Sequence, residues 1–173
     1  MDFCATFYHL DFPNFEVRSA FDTYLLNAYI FISKDELEVI AFDLARNVRS
    51  GDTEGIIKDF KIFLAAIPYD IQLRNEKYYQ TIFFLLFLML GVYIEAESCT
   101  NHGRIDAVAM CNEWVYIFEF KINRNAECAL NQIKEKEKFR KYQRSRKRMI
   151  LIGANFNMET SQLDDWKQEE VNL

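Results

Sequence analysis

Trp114-Val115-Tyr116-Ile117-Phe118-Glu119-Phe120-Lys121-Ile122 is the stretch that decides how this 173-residue chain folds. It is apolar throughout except for Glu119 and Lys121. Period-two alternation puts Trp114, Tyr116, Phe118 and Phe120 on one face and Val115, Ile117, Glu119 and Lys121 on the other. The preceding run, Arg104 to Cys111, is also strand-like, and only Asn112-Glu113 separates the two. That spacing predicts a hairpin with a two-residue loop.

Working outward, three helices are predicted on the N-terminal side of this hairpin in addition to a first one over Pro13 to Phe31. Ser33-Lys34-Asp35-Glu36 is a capping-box pattern opening a helix toward Val48, which Gly51 stops. Thr53 to Ala66 reads as a helix ending before Pro68, and Asn75 to Leu90 as one capped by Asn75 and closed by Gly91. Val92 to Glu97 precedes the hairpin as a strand. After it come a helix from Ala126 to about Tyr142, a basic loop, a buried strand from Met149 to Phe156, and a last segment over Leu163 to Val171 that reads as a short edge strand in preference to a helix. The expected fold class is α+β, with a helical N-terminal segment (residues 1–74) packed on a mixed-sheet core (residues 75–173).

Composition narrows the function classes. Half the residues are apolar, with five Gly and two Pro, which excludes disordered and collagen-like chains. The longest apolar run, Ile82 to Leu90, falls well short of the roughly 18 residues of a membrane span. The start of the chain has no basic region leading into an apolar stretch, and the four cysteines lack C-x-x-C spacing, so a reducing cytoplasmic setting is expected. The net charge of −5 conceals an asymmetry: Lys121 to Arg148 holds eleven Lys or Arg against three Asp or Glu. Such a segment suits a phosphate backbone, and equally the solvated face of a helix.

Chemistry concentrates on the hairpin. A two-residue loop makes Cys111 face Trp114 and carries Asp106 to a position opposite Glu119, with Lys121 on the same face as Glu119. Directly opposed carboxylates lie about 4.5–5.5 Å apart at Cβ and repel. A divalent cation that favours one or two carboxylates plus water and phosphate oxygens would offset that repulsion. An ion pair between Lys121 and either acid, with no further role, is the plainer reading of the same residues.

Gly103-Arg104-Ile105-Asp106 followed by Ile117-Phe118-Glu119-Phe120-Lys121 resembles the D…E-x-K core of the PD-(D/E)XK nuclease superfamily. Glu76-Lys77-Tyr78-Tyr79, Glu97, Thr100, Ala129-Leu130-Asn131-Gln132-Ile133, Ile150 to Phe156 and Asp165-Trp166-Lys167 extend the likeness over about Asn75 to Lys167. The ordered set is similar to the nuclease domain at the C-terminus of AAA-ATPase-like proteins. Leu10 to Arg18 resembles the segment that follows the ATPase module there. No G-x-x-x-x-G-K-[S/T] loop occurs, so ATP hydrolysis by this chain is not expected.

The resemblance implies a restriction-endonuclease-like mixed sheet flanked by helices, and a Mg²⁺- or Mn²⁺-dependent nuclease that hydrolyses phosphodiesters, in DNA before RNA, with a metal-activated water. Asp106 and Glu119 would hold the metal, Lys121 would orient water or offset phosphate charge, and Glu76 and Gln132 would complete the catalytic set. Arg104, Lys134, Lys138, Lys141, Arg144 and Arg146 are the expected nucleic-acid contacts. The rival expectation is a catalytically silent nucleic-acid-binding or protein-interaction module, with an ATPase or regulatory protein as partner. No membrane association is expected.

Overall fold

The structure, a computed structural model, describes residues 11–14, 16–18, 20–21, 24–25, 33–68, 70, 72–73, 75–100, 103–135 and 138–171. Of the first expected helix, residues 16–18, 20–21 and 24–25 are helical, and residues 26–31 lie outside the described ones. The next three helices are α1 (Lys34–Ser50), α2 (Thr53–Ala65) and α3 (Glu76–Met89). Ser33 and Glu36 form the reciprocal capping box, and Gly51 ends α1 in a left-handed conformation with φ 83°. Asp52 caps α2 through the Gly55 amide and Asn75 caps α3 through the Tyr78 amide. Each cap satisfies an amide that the helix itself leaves without a partner.

The sheet has five strands in the order β1 (Tyr93–Thr100), β2 (Gly103–Cys111), β3 (Trp114–Ile122), β4 (Arg148–Phe156) and β5 (Leu163–Val171). All neighbours are antiparallel except β3 and β4, which run parallel and are joined through α4 (Ala126–Glu135) and a 3₁₀ helix (Lys138–Ser145). A parallel pair needs such a crossover, whereas β2 and β3 need only the Asn112-Glu113 turn, where Asn112 takes φ 49°. The result is the expected restriction-endonuclease-like α+β arrangement, a mixed sheet flanked by helices.

The expected single helix from Ala126 to Tyr142 is corrected. The α-helix is described to Glu135, and the chain from Lys138 to Ser145 is wound as a 3₁₀ helix. The apolar period fades here: Lys134, Glu135, Lys136, Glu137, Lys138, Arg140 and Lys141 leave Phe139 and Tyr142 as the apolar anchors, three residues apart. That spacing repeats with the three-residue turn of a 3₁₀ helix.

Two apolar layers enclose the sheet. Trp114, Tyr116, Phe118 and Phe120 join Leu44, Phe60, Phe83 and Phe87 of α1–α3 in the larger core. Phe83 packs at 4.4 Å between ring centroids against both Phe87 and Phe118, and Tyr79 stacks on Phe156 at 4.1 Å. The opposite face carries Val115 and Ile117 against Leu130 and Ile133 of α4 and Tyr142 of the 3₁₀ helix. Period two along β3 therefore sorts the aromatic row to the N-terminal helices and the row bearing Glu119 and Lys121 to α4. No helix among the described residues is long and apolar enough to cross a membrane.

Candidate active site

The two charges of β3 are both buried: Glu119 is 1% exposed and Lys121 8%. Lys121 Nζ lies 3.4 Å from Glu119 Oε1, and Gln132 Nε2, from α4, donates to the same oxygen. Burying a carboxylate carries a desolvation penalty of several kcal/mol, which only a close cation and good hydrogen bonds offset. Both are present, and both come from elements that the sequence orders locally.

Gly153 is what lets α4 come so close. It sits beside Glu119 in the parallel ladder, and a Cβ there would run into the main-chain oxygen of Ala126, within 2.6 Å of the Leu130 nitrogen and 3.0 Å of the Ala129 Cβ. The start of α4 is pinned as well. Asp165 Oδ2 accepts from the Ala126 amide at 2.9 Å, and buried Asn155, paired with Lys121 in the ladder, accepts from the Arg124 amide at 2.8 Å. Lys167 pairs with Glu127 in the first turn of the same helix.

Asp106 meets β3 by a different route from the one its register predicts. The hairpin pairs as expected from Cys111↔Trp114 to Ala107↔Phe118, but the ladder ends there, one pair short of Asp106 and Glu119. Ile105 packs in the same cluster as Val108, while Ala107 and Ala109 lie in the other, so the alternation of β2 breaks just beside Asp106. In place of a main-chain pair, the Asp106 carboxylate accepts from the Phe120 amide at 2.8 Å. The main-chain carbonyl of Asp106 takes a hydrogen bond from Gln80 Nε2 of α3. Asp106 is thus tied through its side chain to the residue between Glu119 and Lys121.

The other expected residues fall into two groups. Gln132 touches Glu119 directly. Glu76 stands exposed in the first turn of α3, and it is Gln80, one turn later on the same helical face, that reaches Asp106. Gln80 was not expected as a site residue. Its signal in the sequence is a single amide side chain set between Tyr79 and Ile82 on an apolar helix, and it is 8% exposed.

Among the expected nucleic-acid contacts, Lys134 pairs with Glu169 of β5 at 2.8 Å, and Lys141 lies 3.4 Å from Glu95 of β1. Tyr142 also donates to Glu95, at 2.9 Å, holding the 3₁₀ helix against the sheet edge. Arg144 and Arg146 are exposed, Lys138 begins the 3₁₀ helix, and Arg104 is exposed at the start of β2 opposite Cys99.

The donor set fits a hard divalent cation. Asp106 and Glu119 are two carboxylates tied to one stretch of β3, Glu119 within it and Asp106 through the Phe120 amide, and carboxylate oxygens are the donors such an ion takes. Mg²⁺ is commonly bound by one or two carboxylates with water completing its shell, and Mn²⁺ favours the same oxygen donors. Among the described residues no group of three or more His, Cys, Asp or Glu is arranged to hold a metal.

Comparison with known proteins returns to the same stretch. The chain is 32% identical to an uncharacterised protein in the vnfD 5′ region of Azotobacter chroococcum mcd 1, in a match that covers 88% of this chain. The chain spans only 31% of that relative's length. No solved structure matches. The family model of the PD-(D/E)XK nuclease superfamily matches residues 74–166, more than half of the chain and all of the Asp106, Glu119 and Lys121 constellation. With α3, the hairpin, the crossover and β4 all inside that match, the chain belongs to the PD-(D/E)XK nuclease superfamily.

Proposed function

We propose that the chain is a metal-dependent phosphodiesterase that cuts nucleic acid, DNA in preference to RNA. The observation that carries this reading is the buried Glu119, held by Lys121 and Gln132, with the Asp106 carboxylate bonded to the intervening Phe120 amide. Asp106 and Glu119 would hold Mg²⁺ or Mn²⁺, whose chemistry when bound is to acidify a water and to polarise a phosphate. Lys121 contributes a fixed ammonium that can orient the attacking water or balance charge that grows on the phosphate. Gln132 fixes the carboxylate orientation of Glu119. Glu76, exposed one turn before Gln80, would act only through its charge.

A nucleic-acid substrate is supported by the basic run from Lys121 to Arg148, within which Arg144 and Arg146 are exposed. The relative's much greater length supports a further reading, that this nuclease core acts together with another module, which in the resemblance is an ATPase. The test is calorimetric titration of Mn²⁺ and Mg²⁺ into the parent and Asp106→Ala, beside cleavage of mixed DNA and RNA substrates. Metal binding and metal-dependent DNA cleavage by the parent, both lost in Asp106→Ala, are expected. Equal cleavage by parent and variant sinks the proposal. Metal-independent, salt-sensitive binding without cleavage replaces it with a silent nucleic-acid-binding module.

A further inference from the structure

An irregularity of β2 at Asp106 and a buried amide on α3 meet at one peptide. The β2–β3 ladder stops at Ala107↔Phe118, so the sheet does not hold Asp106 against β3 by main-chain pairing. The alternation of β2 breaks there, with Ile105 and Val108 in one cluster and Ala107 and Ala109 in the other. Gln80 is buried on the apolar face of α3, beside Tyr79 and Ile82, and its Nε2 donates to the Asp106 carbonyl.

A buried amide side chain is costly unless hydrogen-bonded, and an apolar residue would fill this place on α3 without that cost. The bond that Gln80 makes ends at the very peptide that carries the candidate metal carboxylate. From the other side, the Phe120 amide fixes that carboxylate itself. One donor thus sets the main chain of Asp106 and one sets its side chain.

We infer that Gln80 is a positioning residue for the metal centre: its amide holds the Asp106 main chain in the broken-ladder conformation from which the carboxylate faces the cation. This rests on the proposed function, because it assumes that Asp106 binds the metal. Gln80 touches neither metal nor substrate, and acts through Asp106 alone. Partners that orient metal ligands in this way commonly change affinity by about 10–100-fold when removed.

The experiment uses the full chain and its Gln80→Met variant, which keeps the length of the side chain and removes the donor. Mn²⁺ affinity is measured by calorimetry in the absence of nucleic acid, with thermal unfolding measured in parallel. The expected result is a folded variant whose Mn²⁺ affinity is about 10–100-fold weaker. A purely structural Gln80 would lower the unfolding midpoint and leave affinity in the folded protein unchanged, and that result overturns the inference.

A second measurement needs no variant. In ¹⁵N-labelled parent, Mg²⁺ should shift both the Phe120 amide and the Gln80 side-chain amide resonances, since both are bonded to Asp106. A shift at Phe120 with none at Gln80 also overturns the inference, even where Gln80→Met fails to fold. A parent that binds neither ion overturns the two-carboxylate centre and the role of Gln80 with it. A parent that binds normally beside an equally tight Gln80→Met overturns only the latter.

Discussion

At the scale of single residues, the strongest constraint is a charge that has been buried with its partners. Removing Lys121 leaves Glu119 in the interior without its cation, a loss that commonly costs about 3–5 kcal/mol. Lys121→Ala is therefore expected to unfold at lower temperature than the parent, with Mn²⁺ restoring part of the loss, and to cut DNA about 10²–10³-fold more slowly, the usual cost of one electrostatic stabiliser. Thermal scans with and without Mn²⁺ and single-turnover cleavage check the two halves; parent-like cleavage would remove Lys121 from the chemistry. A second buried acid lies far from this chemistry. Burial pushes the Asp59 carboxyl above its ordinary 3.8, against the opposing hydrogen bond from Asn47. A raised folded-state value favours the protonated form, so its stabilising contribution is present at low pH and is lost as pH rises through that value. Asp59→Asn, which keeps an acceptor for Asn47, should raise the unfolding midpoint at pH 7 and show no advantage below about pH 4, where both forms are neutral; a variant less stable than the parent at pH 7 contradicts this. Period two was enough to bring Glu119 and Lys121 together, because β3 is regular. Asp106 followed a different rule, since nothing in the count of residues announces that a side chain will replace a ladder bond.

At the scale of elements, the hairpin and the caps were legible because each is written in a short local code: Asn112-Glu113 for the turn, Ser33 with Glu36 for the start of α1, Gly51 for its end. The end of β1 was not, since the strand runs to Thr100, three residues past the expected Glu97. The break after α4 was also less legible. Charged residues continue from Lys134 to Lys141 without interruption, and the change from 3.6 to three residues per turn is carried only by Phe139 and Tyr142, which pack against the sheet. The close contact of α4 with β4 was not legible at all, since a glycine in an apolar strand does not say what passes over it. Gly153→Ala tests that contact. The new Cβ would meet main-chain atoms of Ala126 and Leu130, which yield less readily than a side-chain tip, so α4 must shift. Overpacking of this kind typically costs about 1–3 kcal/mol. Because Gln132 lies two residues beyond Leu130, the shift should also loosen its bond to Glu119, and cleavage should fall further than stability alone explains. Comparing kcat with the unfolding midpoint for Gly153→Ala and for Gln132→Ala decides the point: a Gly153→Ala protein with parent-like kcat would mean that α4 can move without disturbing Glu119.

At the scale of the whole molecule, the uneven distribution of charge becomes a statement about binding. The chain is acidic in total, yet the basic run surrounds the crossover that leaves the candidate site, and the remainder carries ten Lys or Arg against 23 Asp or Glu. The rest of the chain is net negative, so affinity should come from a few phosphate contacts near the 3₁₀ helix and fall steeply with salt. The structure further separates basic residues that the sequence could only list together. Lys134 already faces Glu169 and Lys141 already faces Glu95, whereas Arg144 and Arg146 are exposed on the turn before β4. A lysine that must leave a carboxylate to meet a phosphate exchanges one ion pair for another, and exposed pairs are worth only about 0–1 kcal/mol. Arg144→Ala should therefore lower the slope of log affinity against log salt by about one, and weaken binding uniformly across sequences. Lys134→Ala should change both less, because Lys134 must give up its pair with Glu169 to meet a phosphate. Fluorescence anisotropy with a labelled duplex over a range of salt concentrations measures both slopes under identical conditions. A larger effect at Lys134 than at Arg144 would place the DNA path along β5 and away from the 3₁₀ helix.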